Sequence, residues 1–204
     1  AATSALVLVT NTNVPANTAK EFIAWGKAQA NAVSFGSIGA GTGSHLTMEL
    51  FASRAGLKML HVPFQGFPQV TQAIIANDVQ SGFMAPSGAL VQSKAGKVKV
   101  LGISSSERSP QFPDVPTIAE AAGLPDFNAE LWIAAFAPSN LAPEHASRLA
   151  KEINVVLQRP DVRGKLAEQG WLARGGSPEA LARRIADDTK LWGQVIKQSS
   201  IRIE

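Results

Sequence analysis

The sequence predicts an α/β protein, a parallel or mixed sheet covered by helices. Short apolar runs alternate with amphipathic stretches of helical length, and glycine or proline marks three junctions where a strand would pass into a helix. The 204 residues are 45% apolar and 17% charged, enough for a sizeable core and too apolar for disorder. Without cysteine the chain has no disulfide scaffold and no thiolate metal site. A net charge of +3, from 19 Lys+Arg against 16 Asp+Glu, offers no basic surface for nucleic acid. No run has the roughly 18 apolar residues of a membrane span. Residues 1–10 carry no signal-peptide pattern, and a chain that opens inside a strand reads as a fragment or a processed protein.

The first strand is read at residues 5–9, Ala5-Leu-Val-Leu-Val9. Thr18-Ala-Lys-Glu21 is a capping box opening a helix whose buried side is Phe22, Ile23 and Trp25. Residues 33–38 form the next strand. After the glycine-rich stretch 39–44, a helix runs to Ala55 with Leu46, Leu50 and Phe51 on one face, and Gly56 ends it. The unit then repeats. Strand 59–62 leads through loop 63–67 to a helix at 68–76, and strand 81–85 leads to a helix from Pro86 to Lys94. Strand 98–104 follows. Residues 105–126 are irregular and proline-rich around a short helix at 117–122, and 128–137 are strand-like. Helices are expected at 144–157, 161–169 and 178–198, each starting near a proline or an acidic residue. Their apolar faces need a sheet, which the sequence after 127 does not supply.

The junctions at 39–44, 63–67 and 85–87 would gather at the carboxyl edge of the sheet, where α/β proteins bind ligands. In the first, Gly39, Gly41 and Gly43 admit close backbone approach, and Thr42 and Ser44 place hydroxyls at a helix N-terminus. That is an anion site, or else a tight turn in which Ser44 merely caps the helix. A Walker loop is unsupported, since Thr42 stands where lysine belongs, and a dinucleotide fingerprint lacks its third glycine at Ser44. None of the three junctions carries Lys or Arg, so a carboxylate fits better than a polyphosphate. His45, Glu49 and His61 could form a metal site but read as structural groups. No G-x-S-x-G elbow occurs. Asp114, Glu120, Asp126 and Glu130 read as solvated surface. Trp25, Trp171 and Trp192 read as packing, and Trp132 as a residue beside a cleft.

At Gly36-Ser-Ile-Gly-Ala-Gly-Thr-Gly-Ser-His-Leu46 with Glu49-Leu-Phe51, the chain resembles the periplasmic solute-binding receptors of tripartite tricarboxylate transporters, the Bug family. The likeness continues through His61-Val-Pro-Phe-Gln-Gly66, Lys94-Ala-Gly-Lys97, Leu101-Gly-Ile-Ser and Arg108-Ser-Pro-Gln-Phe-Pro-Asp-Val-Pro-Thr-Ile-Ala-Glu120, and covers the whole chain. It implies a periplasmic-binding-protein type II-like fold that closes two domains on a small carboxylate. The sequence looks like the family without its N-terminal third and that third's own anion loop. Residues 1–9 would be a crossing strand from the incomplete domain, 10–125 a complete α/β ligand-binding domain, and 126–204 the return crossing and helices of the incomplete domain. Hinges would lie at 5–10 and 126–137.

By the same resemblance Ser37, Gly39, Ala40, Gly41, Thr42 and Ser44 would hold a carboxylate, and Phe64, Gly66, Phe67, Ala85, Ser87 and Trp132 would line the cleft. Many relatives carry Tyr-Lys where this chain has Phe64-Gln65, and an acidic or amide residue after the strand at Phe83, where this chain has Met84 and Ala85. A ligand with an apolar middle is therefore expected rather than an amino acid, whose ammonium needs an acidic partner. The expected protein is a non-enzymatic receptor without metal or cofactor, periplasmic by resemblance, that delivers a dicarboxylate or an aromatic or long-chain carboxylate to membrane permease subunits. An α/β enzyme using the glycine loop as an anion site and a sensory binding module are the alternatives. Unpaired apolar faces after 143 predict that the chain dimerises or aggregates.

Overall fold

Residues 7–11 and 81–84 are buried on both strand faces, so these strands belong in the middle of a sheet covered on two sides. The computed structural model describes residues 2–201 and bears this out. Two compact units form, one from residues 5–130 with 194–201 and the other from 2–4 with 131–193.

The first unit holds a five-stranded sheet. In chain order it contains β2 (Val7–Asn11), α1 (Ala19–Ala28), β3 (Val33–Ser37), α2 (Gly43–Ala55), β4 (Met59–Pro63), α3 (Phe67–Ala76), β5 (Ser81–Met84), α4 (Pro86–Lys94), β6 (Val98–Ile103) and α5 (Ile118–Ala122), β1 being the short strand Ala2–Ser4 before it. The strand order is β4-β3-β5-β2-β6. β4, β3 and β5 run parallel, and β2 is antiparallel to both β5 and β6. Alternation along β2 sends Val7 and Val9 to a core with Val70, Ile74, Met84 and Ile103. The core also holds a cluster of aromatic rings, where Phe51 meets Phe22, Phe83 and Phe127 at centroid distances of 6.1–6.3 Å. Gly36 and Gly82 sit opposite each other in register. A Cβ on either would lie within 3.0–3.4 Å of Val70, so their bareness lets α3 lie close on the sheet.

Local capping matches the sequence with one change. Thr18 accepts from the Glu21 N–H at 3.1 Å, but the Glu21 carboxylate takes the Asn17 N–H rather than that of Thr18. The reciprocal box occurs instead at Thr117 and Glu120. Gly56 ends α2 in the left-handed region at φ 64°.

The second unit contains β1, β7 (Leu131–Ile133), α6 (Pro143–Gln158), α7 (Pro160–Glu168), β8 (Leu172–Ala173) and the greater part of α8 (Pro178–Gln198). Its three strands run in the order β7-β1-β8, antiparallel throughout. This small sheet departs from expectation. β8 is two residues long, too short for any periodicity, and β1 comes from the other end of the chain. The crossing strand expected over residues 1–9 is two strands, β1 and β2, that pair in different sheets, and the chain changes units after Ser4. There Leu6 donates to the Ser104 hydroxyl at 2.9 Å. The expected boundary after residue 9 would therefore cut through β2. α6 and α8 border an apolar trough of about 510 Å³, walled by Trp132, Phe136, Leu149, Ile153, Leu181 and Ile185. Phe136 is 71% exposed and Leu149 50%.

Phe51 sits at the centre of its ring cluster. Phe51→Ala should lower the unfolding free energy by about 3–5 kcal/mol in urea titrations followed by circular dichroism. A loss below about 1 kcal/mol would contradict that placement.

Candidate functional site

Parallel pairing of β3 with β4 and β5 sets the carboxyl ends of three strands side by side, so the three predicted junctions share one sheet edge. The second junction is tied to the first, since Phe64 N–H donates to Ser37 C=O at 2.9 Å. The half-buried Phe64 ring lies over Gly36, where a Cβ would be 3.2 Å from it. Gly66, at φ 106°, begins α3, and Phe67 packs against the core. Ala85 precedes Pro86 at the start of α4, and Ser87 is exposed. Met84 points away from this edge and is 2% exposed, so the apolar character expected of it there is absent.

The first junction uses most of its polar side chains on itself. Gly39 and Gly41 have φ of 133° and 72°, which only glycine adopts without strain. The Thr42 hydroxyl donates to Gly39 C=O at 2.7 Å and lies 3.2 Å from the Ser44 hydroxyl, which in turn accepts from Ile38 N–H. Gly39 N–H reaches the Ser37 hydroxyl at 3.2 Å, and Gly41 N–H reaches His45 Nδ1 at 3.0 Å. Thr42 occupies the N-cap position without capping through its side chain. Among the described residues nothing accepts from the N–H groups of Ala40, Gly43 and Ser44. They are the donors the turn has to offer, at the positive end of a 13-residue helix. Of the six residues expected to hold a carboxylate here, Ser37 is fully buried, and the amides of Gly39 and Gly41 already have protein partners.

Behind the turn lies a cluster that the sequence did not show as one. The His45 and His61 rings stack face to face, with centroids 3.6 Å apart and planes 10° apart, against Phe35. The Ser37 hydroxyl is 2.6 Å from His61 Nε2, and His45 Nε2 is 3.6 Å from a Glu49 carboxylate oxygen. Burial and the neighbouring His45 push the His61 pKa down to about 4, the Glu49 charge opposing them. Burial works against ionised Glu49, but hydrogen bonds from His45 and Ser199 and the nearby imidazoles outweigh it and lower its pKa. His45, Glu49 and His61 do come together, yet their ring nitrogens aim at different partners rather than converging as in a metal site. His61 lies within β4 and Ser37 ends β3, and the pairing that brings them together is not visible in the sequence.

Ser37 and His61 stand within nucleophile–base distance, but the hydroxyl is buried, also bonds the Gly39 backbone, and has no carboxylate behind His61. Trp132 is not brought to this edge by any described contact. It lies in the other unit, its indole N–H donating to Asp188 at 2.6 Å while Arg184 holds the same oxygen. A cavity of about 400 Å³ lined by Asn13, Trp25 and Asn77 includes Val33, at the amino end of β3, and contains none of the candidate residues.

Solved structures share this architecture across nearly the whole chain. One described as a periplasmic transporter superposes with a TM-score of 0.80 at 28% identity, covering 100% of this chain and 67% of its own. MatC from Rhodopseudomonas palustris with bound malate gives 0.77 at 27% identity, with coverage of 96% and 67%. The periplasmic binding protein BugD shares the fold, with a TM-score of 0.78 at 23% identity and coverage of 100% and 68%. Fold and site thus define a periplasmic-binding-protein-type α/β protein rather than an enzyme.

The family described as tripartite tricarboxylate transporter family receptor matches residues 1–201, and the chain belongs to it. A protein encoded in the tcbD–tcbE intergenic region of Pseudomonas sp. strain P51 is 38% identical over 164 residues, 80% of this chain and 49% of that protein. Protein BugT of Bordetella pertussis is 31% identical over 199 residues, 98% of this chain and 61% of its own length. The chain thus spans about half to two thirds of these relatives.

The His61 shift has a consequence for stability. With its folded pKa near 4 and an unfolded value near 6.5, the unfolded chain binds more protons between those limits. The contribution is complete above about pH 6.5 and is lost as pH falls toward 4. Screening at a partly exposed ring reduces it to about 1–2 kcal/mol. In urea unfolding at several pH values, His61→Gln should show a shallower decline over that window than wild type. Parallel curves would contradict the assignment.

Proposed function

We propose that this chain is the ligand-closing part of an extracytoplasmic receptor that takes up a small carboxylate and passes it to membrane permease subunits. The observation that carries the reading is the set of unpartnered N–H groups on Ala40, Gly43 and Ser44, at a helix N-terminus with no basic side chain in the turn. Such donors suit one negative charge spread over two oxygens. The malate complex of MatC, 27% identical to this chain, supports the same ligand class. Residues 10–125 act as the ligand-binding domain, with Phe64, Gly66, Phe67, Ala85 and Ser87 at the rim. Phe64 and Ala85, apolar at that rim, favour a carboxylate with an apolar middle over an amino acid. The location is periplasmic on this reading. Among the described residues no helix is long and apolar enough to cross a membrane.

Gly43→Pro tests the donors directly. Position 43 is the first residue of α2 and Thr42 before it is extended at φ −73°, ψ 162°, so proline fits the helix while removing one N–H. Calorimetry should show malate or a longer dicarboxylate binding about tenfold more weakly to the variant at unchanged thermal stability. Equal affinity would overturn the site, and binding of aspartate or glutamate alone would overturn the ligand preference.

The trough in the three-stranded unit is, on the same reading, a face that further polypeptide of a longer receptor covers. The chain alone should therefore self-associate in light scattering, and Leu149→Glu with Ile153→Glu should shift it toward monomer. A monodisperse wild-type monomer with a cooperative melt would count against this.

A further inference from the structure

One bond of the glycine turn runs to an imidazole rather than to a backbone or hydroxyl group. Gly41 is in the left-handed region, and its N–H is directed to His45 Nδ1 at 3.0 Å, one turn of helix away. A donor N–H bonds only an unprotonated ring nitrogen, so this contact fixes His45 as the tautomer that carries its hydrogen on Nε2, toward Glu49. His61 from β4 stacks on that ring and is held in turn by the Ser37 hydroxyl, so the imidazole plane is set from both its edge and its face. His45 is 4% exposed and touches no free donor of the turn through its side chain.

We infer that His45 is the positioning residue of the carboxylate turn, holding Gly41 through a neutral Nδ1 so that the N–H groups of Ala40, Gly43 and Ser44 stay unpartnered. This rests on the carboxylate reading for its ligand, though not for its geometry. Protonation at Nδ1 replaces an acceptor with a second donor facing the Gly41 N–H, and the turn loses its anchor. The titratable groups facing His45 are Glu49 on its own helix and His61 on β4, while β3 contributes the apolar Phe35 ring. Glu49 attracts a charged His45, and a charged His61 repels one. His61, its pKa pushed down to about 4 by burial and by the neighbouring His45, is neutral above that pH.

Two readouts separate this inference from the function it serves. Ring nitrogen shifts in a ¹⁵N-labelled chain at about pH 8 should report the Nε2–H tautomer at His45. Gly41 amide exchange should accelerate about tenfold or more in His45→Leu and remain slow in His45→Asn, whose side-chain oxygen takes the place of Nδ1. Malate affinity should fall about tenfold in His45→Leu and be largely restored in His45→Asn. An Nδ1–H tautomer, or Gly41 exchange indifferent to the Leu substitution, overturns the inference even if His45→Leu folds poorly, because the tautomer is read on wild type. If wild type binds no malate while the tautomer and exchange results hold, the positioning role stands and the carboxylate reading fails.

Discussion

The hydrogen bond between Ser37 and His61 ties the glycine turn to the neighbouring strand, and the rest of the candidate site is arranged around it. Ser37 is the last residue of β3, and its carbonyl takes the Phe64 N–H that begins the next junction. Its hydroxyl also holds the Gly39 backbone. One buried side chain therefore sets the distance between two junctions and the pitch of the turn between them. Because β3 and β4 are parallel and in register, that alignment is fixed by the sheet itself. Buried polar groups of this kind are tolerated only when fully bonded, and Ser37 is.

The site obtains its polarity from main chain rather than side chains. Serine and threonine hydroxyls that a motif search would assign to a ligand are turned inward to satisfy the turn, and the open amides are left as donors. Rigid amides aimed outward cost little to organise when an anion arrives, whereas a lysine would have to surrender rotamer freedom and a hydration shell.

Much of this was legible in the sequence, element by element. Proline and glycine punctuation marked α3, α4 and α8 closely, and capping chemistry marked α1. The five-stranded sheet followed from alternating strands and helices, and the family from the run between Gly36 and Leu46. What escaped was non-local. β8 is two residues, and β1 finds its partners more than a hundred residues onward. The His45–His61 stack joins a helix and a strand whose sequences show only isolated histidines. Hydroxyl direction is equally silent, since Thr42 and Ser44 are consistent with facing a ligand or facing the turn until the Ile38 and Gly39 backbone is in place. Trp132, expected beside a cleft from its place on the strand leading out of the first domain, walls the apolar trough of its own unit, and its indole is engaged by Asp188 from α8.

The strand β2 has a bearing on how the protein is made. It is flanked by β5 and β6, so its backbone is satisfied on both sides only after residues 81–103 have folded. Until then Val7-Leu-Val-Thr-Asn11 is an apolar ribbon with two open edges, the kind of segment that pairs with other chains. A nascent polypeptide of this design exposes that ribbon until β6 has been made and has paired with it.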